Sequence, residues 1–440
     1  MKRVGLIIFA LVILAAGLVG CASNKKEVTP AVVTATPVVA KETPKKVESI
    51  ELIYQSHVTP NLTAEFYDTA IKRFEASNPG IKIKRIQAPD ADADKYLKLL
   101  LASGDFPDIA QNISDIIAFV KSDALIEIKA DDDIKKIKNY NVQSINGKLY
   151  NLGAFTQPQS LIFYNKKMFA DAGITATPKN WDEFIKVSEK LKAKGFTPML
   201  TAGEWVTGFT AGIMSAPDIF GKNMRWNADR TAGKVHFTDA EWVEAMTRFA
   251  DFSKKGYFNK GALSIGYTQV EQEFLKGNGA MYPMGVWFTA SEKNAKDKNF
   301  EVGVFPVPTK DGEVRLAGAE NGGMYAISSK SKHPVEALKF IKFMLLDVET
   351  HKKFMEADGL FSNLVNPISI DFTPLQKEVA ELLRTAKVYS PYMALSLGDS
   401  SPAAGIWDQF QKTAQNLMVA QDPLKELKIL DDIWDKNVKK

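Results

Sequence analysis

Residues 49–110 read SIELIYQSHVTPNLTAEFYDTAIKRFEASNPGIKIKRIQAPDADADKYLKLLLASGDFPDIA, and the alternation of periods within them decides the fold. Ser49-Ile50-Glu51-Leu52-Ile53-Tyr54 is a strand, after which Phe66, Ala70, Ile71 and Phe74 recur at helical spacing. Asn78-Pro79-Gly80 is a turn, and Ile81, Ile83 and Ile86 form a second strand. A second helix carries Tyr96, Leu97, Leu100 and Leu101 and stops near Gly104. Phe106-Pro107-Asp108-Ile109-Ala110 then starts a third strand. This β-α-β-α-β unit builds a parallel sheet with right-handed crossovers. If the strand order is second-first-third, a crevice opens between the carboxyl ends of the first and third strands. Those ends are Gln55-Ser56-His57 and Gln111-Asn112-Ile113-Ser114-Asp115, two polar exits from apolar strands. Asp115 is also placed to cap a helix starting at Ile116, which does not exclude ligand contact. His57 alone reads as structural or solvent-facing.

Further along, Ile145-Asn146-Gly147-Lys148-Leu149-Tyr150 is a turn into a strand. Leu161-Ile162-Phe163-Tyr164-Asn165 is apolar enough to leave one lobe and enter another. Asn180 with Glu183 reads as a capping box closed by Gly195, and Thr238 with Glu241 as a second one. The helix after Thr238 carries Trp242, Ala245, Met246 and Phe249 as a core stripe. Residues 274–288, FLKGNGAMYPMGVWF, read as a helix end, a glycine-rich turn, a buried strand and a glycine that delivers Trp287 to an edge. A glycine beside a tryptophan gives up packing, so Gly285 suggests close approach of another group to the backbone. Val302–Pro306 and Met324–Ser328 are further strands. From Pro334 the chain is mainly helical, with Pro423 in the first turn of the last helix.

The chain has 440 residues, 45% hydrophobic and 25% charged, an ordinary globular composition that supports a large two-lobed core. Residues 1–48 hold seven basic and three acidic side chains, which is the entire net charge of +4. The remainder is formally neutral, so no basic field suggests nucleic acid as a partner. Lys2-Arg3 followed by an apolar run from Val4 to Val19 fits a signal peptide over residues 1–20, being short for a membrane span. Leu18-Val19-Gly20-Cys21 resembles the bacterial lipoprotein box, which implies cleavage before Cys21 and lipidation of its sulfur. Cys21 is the only cysteine in the chain, so no internal disulfide can form. Residues 21–48, with Pro30, Pro37 and Pro44, read as a lipid-anchored flexible tether.

Catalytic signatures are sparse. The four histidines are widely spaced, and no P-loop, nucleophile elbow or metal-ligand pair appears. Asp131-Asp132-Asp133 beside Lys135-Lys136 is a solvated charge run. A glycosidase needs only two carboxylates, so a membrane-anchored glycan-processing enzyme stays open. What stands out is tryptophan in glycine-rich, non-periodic surroundings: Trp205 after Gly203-Glu204, Trp287 after Gly285, Trp407 after Gly405. An aromatic face complements the C–H-rich face of a pyranose, and nearby amides and carboxylates take its hydroxyls. Core packing accounts for each of these residues equally well, taken singly.

Ser103–Ile109, Ile145–Tyr150, Leu161–Lys166, Asn180–Phe184 and Gly279–Trp287 fall in the order seen in extracellular sugar-binding proteins of ABC importers. Over about residues 49–437 the chain resembles that family, including the maltodextrin-binding proteins. The resemblance implies an α/β, two-lobed periplasmic-binding-protein-like fold, each lobe a mainly parallel sheet flanked by helices and joined by hinge strands. Lobe 1 is expected over about 49–160 plus 317–355, lobe 2 over about 161–316 plus 356–437. The resemblance further implies a carbohydrate ligand, with an oligosaccharide expected, delivery to ABC permease transmembrane subunits, no catalysis, no cofactor, and a monomer held outside the cell membrane by its lipid alone. Matched position by position, it places Trp287, Trp205, Trp407, Asp115, Asn112, Gln55 and His57 at the cleft, with Glu320 and Asn321 as further candidates. At Asn112 the maltodextrin binders carry a tryptophan, so maltodextrin itself does not follow. A receptor for a non-sugar solute would keep the same fold.

Overall fold

The computed structural model describes residues 49–89, 93–322, 324–389, 398–419 and 422–438. The signal segment, Cys21 and the tether lie outside them. The strands are β1 (Ile50–Ser56), β2 (Ile81–Gln87), β3 (Ile109–Gln111), β4 (Asn151–Leu152), β5 (Phe155–Gln159), β6 (Leu161–Asn165), β7 (Met281–Met284), β8 (Val302–Pro306), β9 (Arg315–Gly322), β10 (Tyr325–Ile327), β11 (Phe361–Ser362) and β12 (Lys387–Tyr389). They form three sheets, ordered β2-β1-β3-β10-β4, β11-β5-β9-β12 and β7-β6-β8. Among the described residues, no helix is long and apolar enough to cross a membrane.

The five-stranded sheet is the core of the first lobe, and its first three strands take the expected second-first-third order. β1 runs parallel to β2 and β3, whereas β10 returns antiparallel between β3 and β4. Helix Ala64–Ser77 starts at Thr63, whose hydroxyl accepts from the Phe66 amide, and buries Tyr67, Ala70, Ile71 and Phe74. Phe74 meets Phe340 edge-on at 5.0 Å, and Tyr54 of β1 does so at 5.2 Å. Such contacts add about 0.5–1.5 kcal/mol each beyond buried area.

The three-stranded sheet is the core of the second lobe, and here strand direction departs from the expected parallel pattern. β6 is central and antiparallel to both neighbours. The reason lies in how the chain enters: β5 passes into β6 through Ser160, whose φ of 57° turns the backbone once. β6 is therefore the continuation of a connecting strand, not the product of a crossover helix. Elsewhere in this lobe, Trp226, Trp242 and Trp434 are almost wholly buried. Trp226 lies 5.5 Å from Trp242 and 6.0 Å from Trp434.

Between the lobes, β5 and β9 pair antiparallel, with Pro158 opposite Gly318 and Gln159 opposite Ala317. β11 and β12 extend this hinge sheet at its two edges. His351 packs on it, its ring stacked 4.4 Å from Phe155. Its Nδ1 bonds the Leu345 carbonyl at 2.6 Å and its Nε2 the Ser362 hydroxyl at 2.9 Å.

Asn180 caps its helix as expected, accepting from the Glu183 amide at 3.0 Å, but the box is not reciprocal because the Glu183 carboxylate accepts from the Lys179 amide at 2.8 Å; Gly195 follows with φ 84°. The Thr238–Glu241 box does not form. Asp239 occupies the cap position of helix Ala240–Lys254, while Thr238 gives its amide and hydroxyl to Asp431, at 3.0 and 2.9 Å. A buried carboxylate needing donors outcompetes a local cap there.

Candidate functional site

The seven tryptophans divide cleanly. Trp181, Trp226, Trp242 and Trp434 are buried, whereas Trp205, Trp287 and Trp407 are part-exposed against the core. Trp287 ends the turn after β7 and stands at the N-terminus of helix Phe288–Asn294. Gly285 is explained by that ring: a Cβ there would lie 2.1–2.6 Å from Trp287 ring carbons. The group that approaches the Gly285 backbone is therefore the neighbouring indole itself.

Other rings pack in line with it, Phe209 and Tyr267 buried and Trp205 part-exposed. Trp287 is 5.6 Å from Phe209, Phe209 is 5.5 Å from Trp205, and Trp205 is 5.0 Å from Tyr267. Trp205 and Phe209 are four residues apart at the start of helix Val206–Ile219, so they share one face. Helix Ile406–Met418 packs on that helix closely enough that a Cβ on Gly208 would meet Gln411 Cγ at 2.8 Å. Gln415 Nε2 donates to the Glu204 carbonyl at 3.0 Å. The two helices are thus antiparallel, which sets Trp407 two turns, roughly 10 Å, along from Trp205.

The first lobe contributes the exits of β1 and β3. Asn112 takes the left-handed conformation, φ 62°, while its amide donates to the Met324 carbonyl at 2.8 Å. Asparagine tolerates this backbone where a bulky residue such as tryptophan is strained. Asn112 Nδ2 lies 3.3 Å from His57 Nε2, so the amide donates and the imidazole proton sits on Nδ1. Burial lowers the His57 pKa to about 4, which keeps the ring neutral. Gln55 is fully buried. Its Oε1 accepts from the Gln111 amide at 3.1 Å and its Nε2 donates to the Ser56 carbonyl at 2.9 Å. Gln55 is a hydrogen-bonded strut between β1 and β3.

Asp115 is buried and heavily committed. It caps helix Ile116–Lys121, accepting from the Ala118 amide at 3.4 Å. It also takes Lys98 Nζ at 3.3 Å and the Gly405 amide at 3.1 Å. Burial raises its pKa, against the pull of Lys98 and the Gly405 amide. Glu320 accepts from Asn139 Nδ2 at 3.2 Å, and Asn321 lies within β9.

Residues without a sequence signal complete the junction. Asn61 Nδ2 donates to the Trp287 carbonyl at 2.8 Å and to Asp358 Oδ1 at 3.4 Å, and its Oδ1 accepts from the Ser291 hydroxyl at 2.9 Å. Tyr267 donates to Glu271 at 3.2 Å. Burial raises the Asp358 pKa to about 8 and that of Glu271 to about 7. Among the described residues, no group of three or more His, Cys, Asp or Glu side chains could hold a metal ion.

A cavity of about 410 Å³ lies elsewhere, against the hinge strands, lined by Lys138, Thr156, Phe361, Ser362 and Leu383 among others. It lacks both the tryptophan faces and the convergent amides of the lobe junction, so the junction is the stronger candidate.

Comparison with known proteins agrees with this architecture. The family described as bacterial extracellular solute-binding protein matches residues 59–349. A multiple sugar-binding protein of Streptococcus mutans is 30% identical over 306 residues, 66% of this chain and 70% of its own. The arabinooligosaccharide-binding protein of Bacillus subtilis is 23% identical over 366 residues, 79% of each chain. A solved chitin oligosaccharide binding protein superposes with a TM-score of 0.77 at 26% identity, over 89% of this chain and 100% of its own. The chain belongs to the bacterial extracellular solute-binding protein family.

Proposed function

We propose that this protein captures a carbohydrate, with an oligosaccharide expected, at the lobe junction and delivers it to an ABC permease. The observation that carries this reading is the sorting of the tryptophans: three of seven are left part-exposed. Trp287 and Trp205 flank Phe209, and Trp407 lies farther along the adjoining helix. Relatives named for multiple sugars and for arabinooligosaccharides support the ligand class. Trp287 is the principal stacking platform, with Trp205 and Trp407 beside it. Asn112, His57 and Asp115 form the opposite wall, and Glu320 and Asn321 lie at its margin. Gln55 acts only by setting the spacing of β1 and β3.

The lobes run over about 49–160 plus 317–355 and about 161–316 plus 356–437, closing about the hinge sheet. A ligand touching both faces favours the closed state by its differential affinity. Residues 1–20 direct export, Cys21 carries the lipid, and residues 21–48 tether a monomeric receptor. Two or three acyl chains make a stable anchor. The protein binds without turnover. Calorimetric titration with a glycan panel tests this, with one carbohydrate class binding at about micromolar affinity, roughly 8 kcal/mol. Sustained release of reducing sugar from a bound glycan would instead make it an enzyme.

A further inference from the structure

We propose that Lys98 is a positioning residue for ligand capture: its ammonium clasps the two lobes by bridging Asp115 of the first and Asp408 of the second. Lys98 lies on helix Ala93–Ser103 and Asp408 on helix Ile406–Met418. Lys98 Nζ is 3.3 Å from Asp115 Oδ2 and 3.0 Å from Asp408 Oδ2. The same Asp115 oxygen accepts from the Gly405 amide at 3.1 Å, so the lobes meet through a charge bridge and a backbone bond at one point.

The surroundings make the lysine decisive. Asp94 is buried and takes the Ser114 and Asp115 amides at 2.9 and 2.8 Å. It thereby fixes the loop that presents Asp115. Asp94, Asp115 and Asp408 all act on Lys98, and Asp408 acts unfavourably on Asp115. Closing the lobes therefore brings two carboxylates together, and without the ammonium that approach is repulsive. The side chain of Asp115 is 8% exposed and that of Lys98 is 34%, so the pair is screened less than a surface bridge yet still feels salt. The clasp adjoins Trp407, and Lys98 and Asp408 act on closure through Asp115, which also belongs to the ligand wall. This inference rests on the proposed capture of a sugar at that junction.

The test is titration of a neutral oligosaccharide between about 0.01 and 1 M salt, over which the screening length falls from about 30 to about 3 Å. Binding of an uncharged sugar gives the clasp a distinctive readout. The wild-type affinity is expected to fall with salt. Lys98→Met is expected to bind about fivefold more weakly at low salt, through faster dissociation, with the salt dependence largely gone. Asp408→Asn, at an exposed helix position, should move in the same direction and covers the case in which Lys98→Met does not fold. Small-angle scattering of the unliganded proteins at low salt should give a larger radius of gyration for either variant. Unchanged affinity and salt dependence in both folded variants would overturn the clasp. If no glycan binds at all, the capture reading fails, and scattering alone decides: identical radii for wild type and variants overturn the clasp as well.

Discussion

Asn61 and Trp287, 226 positions apart, meet where the lobes touch, the Asn61 amide donating to the Trp287 carbonyl at 2.8 Å. The amide oxygen of Asn61 meanwhile accepts from Ser291, one turn into the helix that follows Trp287. A single side chain of the first lobe therefore holds both the tryptophan and its helix on the second. Asn61→Ala removes these bonds and is expected to weaken ligand binding by about 1 kcal/mol, near fivefold. Stopped-flow kinetics should place the loss in dissociation, because the contact spans the two lobes.

Trp287→Ala is expected to cost about 2 kcal/mol of binding, the scale of an aromatic hot spot. Unchanged affinity in a folded variant would return Trp287 to the role of packing residue.

Gly285→Ala should act through the same ring. The new methyl would lie within 2.6 Å of three indole carbons, so the ring must move, a strain of about 1–3 kcal/mol. In a Trp287→Ala background the same substitution should have little further effect on binding. A double-mutant cycle measures that coupling, and additive losses would show that Gly285 acts elsewhere.

Asp358 makes stability depend on pH. Burial raises its folded-state pKa to about 8, partly offset by the Asn61 bond. An unfolded aspartate titrates near 3.9, so between about pH 4 and pH 8 the native state holds a proton that the unfolded chain has lost. Stability from this group is full below about pH 4 and declines as pH rises through that window. Asp358→Asn should gain on wild type progressively from pH 5 to pH 8 in urea denaturation. A constant difference across that range would contradict the assignment.

In the second lobe, Asp431 accepts from Arg230 Nε at 3.0 Å and from the Phe237 and Thr238 amides at 2.9 and 3.0 Å. The Arg230 side chain is only 2% exposed. Asp431→Ala strands these donors and is expected to cost about 3–5 kcal/mol, measured as a lowered urea midpoint.

Local periodicity carried much of this structure. Strands β1, β2 and β3 and the helices between them follow from alternation and helical spacing in residues 49–110, and their order placed His57 and Asn112 side by side. The glycine-flanked tryptophans are the part-exposed ones because a helix stripe, as at Trp242, buries its ring by default. Long-range partnerships left no such trace. Asn61 sits in a polar loop that could face anything, and Lys98 reads as one more lysine on a solvated helix face. The direction of β6 was hidden too, since an apolar strand has the same composition whichever way it runs. Thr238 had a valid capping pattern, but Asp431, 193 positions away, claimed its donors.

Tryptophan emission followed during titration with oligosaccharides of several linkages tests carbohydrate capture most directly, with Trp287→Ala run in parallel. A saturable change at about micromolar ligand, weakened roughly 30-fold in the variant, is the expected result. Silence of the folded wild-type protein toward every carbohydrate class, with a peptide or polyamine binding instead, would contradict it.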